Sequence, residues 1–506
     1  MKVLILSFES LLVQIQKTIR THQKFLTFFG IFFVLLLLLM PPGDWHDNEE
    51  TKLGSAWRQV SPPAIAAVSA LTDDSLHRFL FTFLNNLGII SVGLDWTHYL
   101  GRLLVITLYA VALTAFFRAL KFSIVEASFI LLLFVHTGED ILGGEWLFRG
   151  YEPKTLAYPF IFLSFASFLK NCFQLTYLWL AIATYFHFLV GGFWLLVVLA
   201  CDLYRNRATQ RTLKQFLQYL LICLPLISLI AFDQIRSSAS QTNPSPDWIY
   251  TFYRNAHHVA PFALPQLTDA WYVGIIFLTV LTIIFGCFSL FCKQRNQQQS
   301  ARLIFSLNLY LFAALAISFF DKTGFWGRFY LFRPSSITYF LALCFFVALF
   351  KSRVAKSHLI FITLLACVGL ASLPLIPKKL KALRPLAPDY PPAVRQLVAQ
   401  TNPSDIFLVD FALEEKWIAF ERSLDRPTLI MHKFVPTGSA PLIRWYELVQ
   451  RRDQVFQTGC PASLVSEYHV AYLLTPAKND IPLSCGEAIY RDQRIQLIRV
   501  DEKFRK

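Results

Sequence analysis

The chain has 506 residues, of which 55% are hydrophobic and only 16% charged, with a formal net charge of +14. Apolar runs of this number and length exclude a water-soluble globular protein and indicate a polytopic membrane protein. The positive charge does not mark a nucleic-acid-binding face, because the basic residues are scattered over short connections between apolar runs, the pattern of positive-inside topology.

Met1–Lys24 is amphipathic and basic, and Phe25–Met40 is apolar. Pro41-Pro42-Gly43-Asp44 follows in place of a small-residue cleavage site, so an uncleaved first span with a cytoplasmic N-terminus is expected. Residues 42–97 read as a long outer segment with one or two helices at the membrane interface. Spans are predicted at about 100–117 and 122–136, then a polar outer loop, His136–Pro159 (HTGEDILGGEWLFRGYEPKTLAYP). Further spans are predicted at about 156–170, 174–189, 190–204 and 215–232, before an outer loop containing DWIYTFYRNAHHVAPFALPQ. Those at about 272–292 and 301–320 lead to the outer loop DKTGFWGRFYLFRPSS, and those at about 335–350 and 357–376 complete the set. Eleven spans place the two termini on opposite sides. The charges agree: the inner turns are Lys/Arg with almost no acid, and nearly all loop carboxylates fall on the outer side.

From about residue 378 the composition becomes that of ordinary soluble sequence, after a Lys/Pro-rich linker at Pro377–Pro392. Apolar runs at 406–410, 427–432, 470–475 and 495–500 read as strands, with helical stretches near 412–421 and 439–455 between them, giving a small α/β domain. The expected organisation is a transmembrane domain with interfacial outer loops over 1–377 and an extracytoplasmic α/β domain over 378–506. The second lacks a phosphate-binding glycine motif and reads as a lid or acceptor-recognition module. Seven of the nine cysteines lie in or beside apolar segments, whereas Cys460 and Cys485 in the polar tail are candidates for a disulfide.

Four outer loops concentrate the polar residues. The first carries Asp44, His46, Asp47, Glu49 and Glu50; the second Glu139, Asp140, Glu145, Arg149, Glu152 and Lys154; the third Arg254, His257 and His258; the fourth Lys322, Arg328 and Arg333. Gathered round one cavity, such groups can hold an anionic lipid phosphate on Arg/Lys while a carboxylate accepts a hydroxyl proton. Each has a structural alternative. Asp44–Glu50 is also what a helix start looks like, and Arg149 and Lys154 can snorkel. Arg328 and Arg333 sit among interfacial aromatics, and adjacent histidines seldom ligate one ion. His187 and Glu126 read as structural.

The layout resembles the GT-C superfamily of membrane glycosyltransferases. The resemblance runs from DWHDNEE after the first span, through the second outer loop, to the α/β tail. It resembles in particular the uncharacterised bacterial GT-C-like proteins with Glu-Pro-Lys or Glu-Gly-Lys before an apolar span, here Glu152-Pro153-Lys154, and a later His-His pair. The resemblance implies an integral protein of a bacterial inner (plasma) membrane. Its donor is a polyprenyl-phosphate-linked sugar, its acceptor a hydroxyl on a lipid, glycan or protein, and transfer inverts the anomeric centre. It implies a first-loop carboxylate base, most naturally Asp47, with Asp44, Glu49 and Glu50 as competitors. Glu139, Asp140 and Glu152 are then substrate- or metal-binding positions. On physical grounds, apart from the resemblance, Lys154, Arg254, Arg328 or Arg333 can stabilise the leaving phosphate. Neither acidic loop contains Asp-X-Asp, which leaves Mg, Mn and metal-independent action all open. Rival readings are a lipid-linked glycan transporter, a polysaccharide polymerase or ligase, and an inactive assembly subunit.

Overall fold

The computed structural model describes residues 22–505 except 73–77, 207–209, 238–242, 265–266, 355–356, 373, 375, 387, 389, 459–461 and 479–484. Helix α1 (His22–Leu39) leads into α2 (Asp47–Val60), α3 (Pro63–Ser69) and α4 (Phe79–Val92). Six helices follow: α5 (Leu94–Ala119), α6 (Ile124–His136), α7 (Pro153–Leu169), α8 (Phe173–Phe186), α9 (Phe188–Asn206) and α10 (Gln210–Ser237). The short α11 (Pro246–Trp248) and α12 (Ala256–Val259) flank a π-helical turn, Ile249–Arg254. Then come α13 (Asp269–Phe291), α14 (Arg295–Phe320), α15 (Ser335–Arg353) and α16 (Ser357–Ser372).

Every span expected from the apolar runs is a helix. Seven of them (α1, α5, α9, α10, α13, α14 and α15) are long and apolar enough to cross a membrane, and the chain is a polytopic α-helical membrane protein. Helices α6, α7 and α8 are shorter, at 13, 17 and 14 residues. At 1.5 Å per residue α6 spans only ~20 Å. The space is filled by the loop between α6 and α7, which is folded into the protein: Glu139, Glu145 and Glu152 are all buried. Helix α7 begins where the loop ends because Pro153 occupies its first turn and the Glu152 amide is capped by the Thr155 hydroxyl at 3.0 Å. In α4, Phe83, Leu87 and Ile90 are exposed on one stripe, the pattern of an apolar face turned to lipid.

The C-terminal region opens with α17 (Ile376–Lys381) and α18 (Pro392–Ala399) and contains β1 (Ile406–Val409), α19 (Glu414–Trp417), α20 (Phe420–Leu424) and α21 (Ser439–Thr458). Helix α22 (Ala462–Glu467) leads to β2 (Val470–Pro476), β3 (Gly486–Arg491) and β4 (Ile495–Val500). The sheet order is β1-β2-β4-β3, with β1 parallel to β2 and the other pairs antiparallel. One expected strand needs correction and one strand was not foreseen. The run 427–432 makes only an isolated bridge, Phe407 to Thr428. The strand missing from the sequence reading is β3, an edge strand with no fully buried residue; with little surface to bury, it needs no apolar alternation. Cys485 is disulfide-bonded, while Cys460, its expected partner, lies outside the described residues.

The helices share one large apolar core, and the sheet has its own on each face. The two parts meet through the outer loops. Ile249 is buried in the core of the C-terminal region, with Val68 and Leu71 packed against it.

Candidate active site

Asp47 is the first residue of α2, where the helix dipole favours an anion. The helix start is tied down by the His46 amide, which donates to Glu49 Oε2 at 2.6 Å, and by the Asn48 amide, which donates to Asp47 Oδ1 at 2.8 Å. The Asp47 carboxylate faces outward, 2.7 Å from His46 Nδ1 and 2.6 Å from Lys433 Nζ. Burial pushes its pKa up, but His46 and Lys433 outweigh burial and hold it well below the usual carboxylate range.

Asp47 opens onto a cavity of about 660 Å³, a volume suited to a small-molecule or headgroup ligand. Glu145, Trp146, Glu152 and Lys154 enter it from the second outer loop and the start of α7, and Arg254, His257 and His258 from the third loop. Arg328, Tyr330 and Arg333 come from the fourth, and Lys433 and Thr437 from the C-terminal region. Phe186, Phe188, Leu189 and Ile230 add an apolar side from α8, α9 and α10. The four loops therefore do converge, and eight expected residues share the cavity: Asp47, Glu152, Lys154, Arg254, His257, His258, Arg328 and Arg333.

The other five do not line it. Glu49 is fully buried, with Arg102 Nη2 at 2.5 Å and His98 Nε2 at 3.2 Å, and it also accepts the Tyr151 amide. Burial raises its pKa, yet Arg102 and His98 drive it far below the normal range, so this carboxylate is a structural anchor between α2, α5 and the second loop. Glu50 pairs with Arg422 at 2.6 Å. Glu139 accepts the amides of Leu147 and Phe148 at 2.7 and 2.9 Å. Asp140 accepts the Glu145 amide at 3.1 Å, and burial pushes its pKa up to about 7. Asp44 sits toward Lys379 of the linker.

Within the cavity, opposite charges are arranged in layers. Glu145 lies 3.0 Å from Lys154 and 3.9 Å from Arg333; these cations overcome burial and keep it ionised. The Lys154 ammonium sits 3.5 Å above the Trp146 ring, and the Arg333 guanidinium 4.6 Å above that of Tyr330. Arg333 Nη1 lies 2.5 Å from His187 Nε2, and since guanidinium only donates, His187 accepts there and is neutral. His187 is thus a cavity residue and not only a span histidine. His258 Nδ1 meets the Gly143 carbonyl at 2.7 Å, so Nδ1 carries the proton and Nε2 keeps its lone pair. Burial lowers the His258 pKa to about 4. Gly143, at φ 85°, makes this contact possible: a Cβ there would meet the Phe332 Cβ at 2.9 Å.

Glu145, Trp146, His187 and Lys433 were not among the expected site residues. Glu145 and Trp146 are in the loop singled out from sequence, and only their contacts set them apart. Lys433 has no local signal, since it reaches the site from the far end of the chain. Among the described residues, no group of three or more His, Cys, Asp or Glu is arranged to hold a metal ion.

No family model matches this chain, and no curated protein does. Among solved structures it is similar to ArnT from Cupriavidus metallidurans in the apo state, at 11% identity over 95% of this chain and 98% of that one, with a TM-score of 0.37.

Proposed function

We propose that this protein is a membrane glycosyltransferase of the GT-C type that moves a sugar from a polyprenyl-phosphate donor to a hydroxyl acceptor. The observation that carries the reading is the composition of this cavity: an ionised carboxylate, Asp47, shares it with Lys154, Arg254, Arg328 and Arg333, and an apolar side opens among α8, α9 and α10. A lipid tail fits the apolar side, its phosphate the cations, and a sugar the space before Asp47.

In the proposed reaction, Asp47 takes the proton from the acceptor hydroxyl as its oxygen bonds to the anomeric carbon. The bond from that carbon to the phosphate oxygen breaks, and its electron pair leaves with the polyprenyl phosphate. Attack opposite the leaving group inverts the centre. Charge grows on the phosphate as the bond breaks, and Lys154, Arg254 and Arg333 are fixed donors that stabilise it. The basic turns between spans lie on the cytoplasmic side in this reading, so the cavity and the α/β region (378–506) face outward.

Transfer of radiolabelled sugar from polyprenyl-phosphate donors in membranes tests the proposal, comparing wild type with Asp47→Asn at equal expression. The expected result is loss of transfer by about 10²–10⁴-fold, the span typical of a general base. A chelator arm reports whether a divalent ion takes part. Wild type that transfers from no donor overturns the reading and favours a transporter or an assembly subunit. Unimpaired Asp47→Asn moves the base elsewhere in the cavity.

A further inference from the structure

The C-terminal region does more than cover the cavity. Its segment Met431–Thr437, which has no regular secondary structure, is fastened at both ends. The Trp445 indole donates to the Met431 carbonyl at 3.0 Å, and Arg254 Nε to the His432 carbonyl at 3.2 Å. The His432 amide donates to Glu414 at 2.6 Å. Beyond Lys433, the Arg58 guanidinium lies 3.7 Å over the Phe434 ring, and Arg328 donates to the Thr437 carbonyl at 3.4 Å. The backbone is therefore held by Arg254 and Arg328, which themselves line the cavity. Between these fixed points the Lys433 side chain is about one-third exposed, at 34%, and faces the cavity with its ammonium on Asp47.

Lysine is suited to exchanging partners, being a compact charge on a flexible four-carbon stem, in contrast to a guanidinium locked in a planar fork. Three other cations of the cavity already have close partners within it or at its edge. Lys154 is buried against Glu145, Arg328 pairs with Asp247 at 2.5 Å, and Arg333 is stacked on Tyr330 beside His187. Around Lys433 lie His46, His257, His432 and Arg254; His257 and His432 sense both Lys433 and Arg254 as neighbouring positive charges.

We propose that Lys433 is a substrate-binding residue supplied by the C-terminal region, and that a phosphate monoester in the cavity competes with Asp47 for its ammonium. Transfer of Lys433 to the phosphate adds a cation where the leaving group forms, and it releases the carboxylate that accepts the proton. Anion binding and arming of the base become one event. This rests on the proposed transferase reading for its purpose, but the competition is a statement about binding and is tested without turnover.

The experiment measures binding of farnesyl phosphate, inorganic phosphate and farnesol to the purified full-length protein in detergent, for wild type, Lys433→Ala, Lys433→Arg, Asp47→Asn and the double variant Asp47→Asn/Lys433→Ala. Lys433→Ala is expected to weaken farnesyl phosphate binding about tenfold, the effect of one charge-assisted hydrogen bond. Asp47→Asn is expected to tighten it, because the ammonium has lost its competitor. The double variant is expected to bind like Lys433→Ala, since the gain from Asp47→Asn acts only through Lys433. Lys433→Arg is expected to restore binding partly, and farnesol binding is expected to be the same in all variants. A purely structural Lys433 predicts lower melting temperatures with no tightening in Asp47→Asn, and that result overturns the proposal. So does farnesyl phosphate binding indifferent to Lys433. Inorganic phosphate showing the same cycle identifies the phosphate group as the competitor; the cycle confined to farnesyl phosphate identifies the lipid headgroup. The binding cycle appearing in a protein that transfers no sugar supports this inference while the transferase reading falls.

Discussion

Carboxylates that look interchangeable in DWHDNEE have different tasks once folded. Asp47, Glu49 and Glu50 are close in sequence, yet helical geometry turns them to the cavity, to the bundle and to the C-terminal region respectively. Glu49→Gln leaves Arg102 buried without its counter-charge, and breaking such a pair costs on the order of 3–5 kcal/mol. We expect Glu49→Gln to lower the melting temperature and yield sharply, while the protein that does fold keeps farnesyl phosphate affinity; lost affinity in fully folded Glu49→Gln would contradict the anchor role. Asp140 gives a pH-dependent prediction. Its pKa is raised from an unfolded value near 3.8 to about 7, so the folded state binds more protons between those values. Its stabilising contribution is full below about pH 4 and lost as pH rises through about 7. Asp140→Asn removes the need to bury a charge and should raise the melting temperature relative to wild type more at pH 8 than at pH 5. An equal shift at both would refute the assignment.

The second outer loop is the element on which the site depends, and its rigidity comes from packing. Glu139 ties its two arms through the Leu147 and Phe148 amides, and Glu49 holds Tyr151. Helix α13 presses on it from the side: a Cβ at Gly274 would lie 2.3 Å from the Ile141 carbonyl oxygen. Gly274→Ala must therefore push the loop or the helix, at a cost of about 1–3 kcal/mol for overpacking. We expect this variant to weaken phosphate binding although residue 274 is remote from the ligand, with a lower melting temperature. Unchanged stability would mean that the loop yields freely. The position and polarity of this loop were legible in the sequence, from its charges between two apolar runs. Its burial was not, because a polar loop at the end of a span ordinarily faces water, and only the shortness of α6 and α8 makes room for it.

At the scale of the molecule, the C-terminal region grips α2 through ion pairs of both senses. Arg58 of α2 meets Glu421 at 2.6 Å, Glu50 of α2 meets Arg422 at 2.6 Å, and Asp47 meets Lys433. Arg422 also lies 3.9 Å over Trp45, whose other neighbour is the stacked His98 ring at 3.8 Å. Arg58→Ala leaves Glu421 buried without its counter-charge, its partners among the described residues being the Thr428 amide and hydroxyl. We expect it to loosen the region and to expose the Pro377–Pro392 linker to limited proteolysis, and the charge-swapped pair Arg58→Glu/Glu421→Arg to recover much of the protection. Equal cleavage of the single and swapped variants would show that this ion pair does not hold the two parts together.

Length and hydropathy of the apolar runs were enough to determine the helices, because a membrane span must satisfy its own backbone hydrogen bonds and so declares itself locally. The loops that line the cavity were visible for the same reason: charge is costly beside lipid, so its clustering stands out. The cavity itself was a tertiary decision. Which of three neighbouring carboxylates faces it, that His187 enters it beside Arg333, and that Lys433 arrives on Asp47 from the C-terminal region all depend on contacts between distant parts of the chain. Such contacts leave no period and no motif in the sequence, since an ion pair requires only that two side chains meet, whatever the separation along the chain.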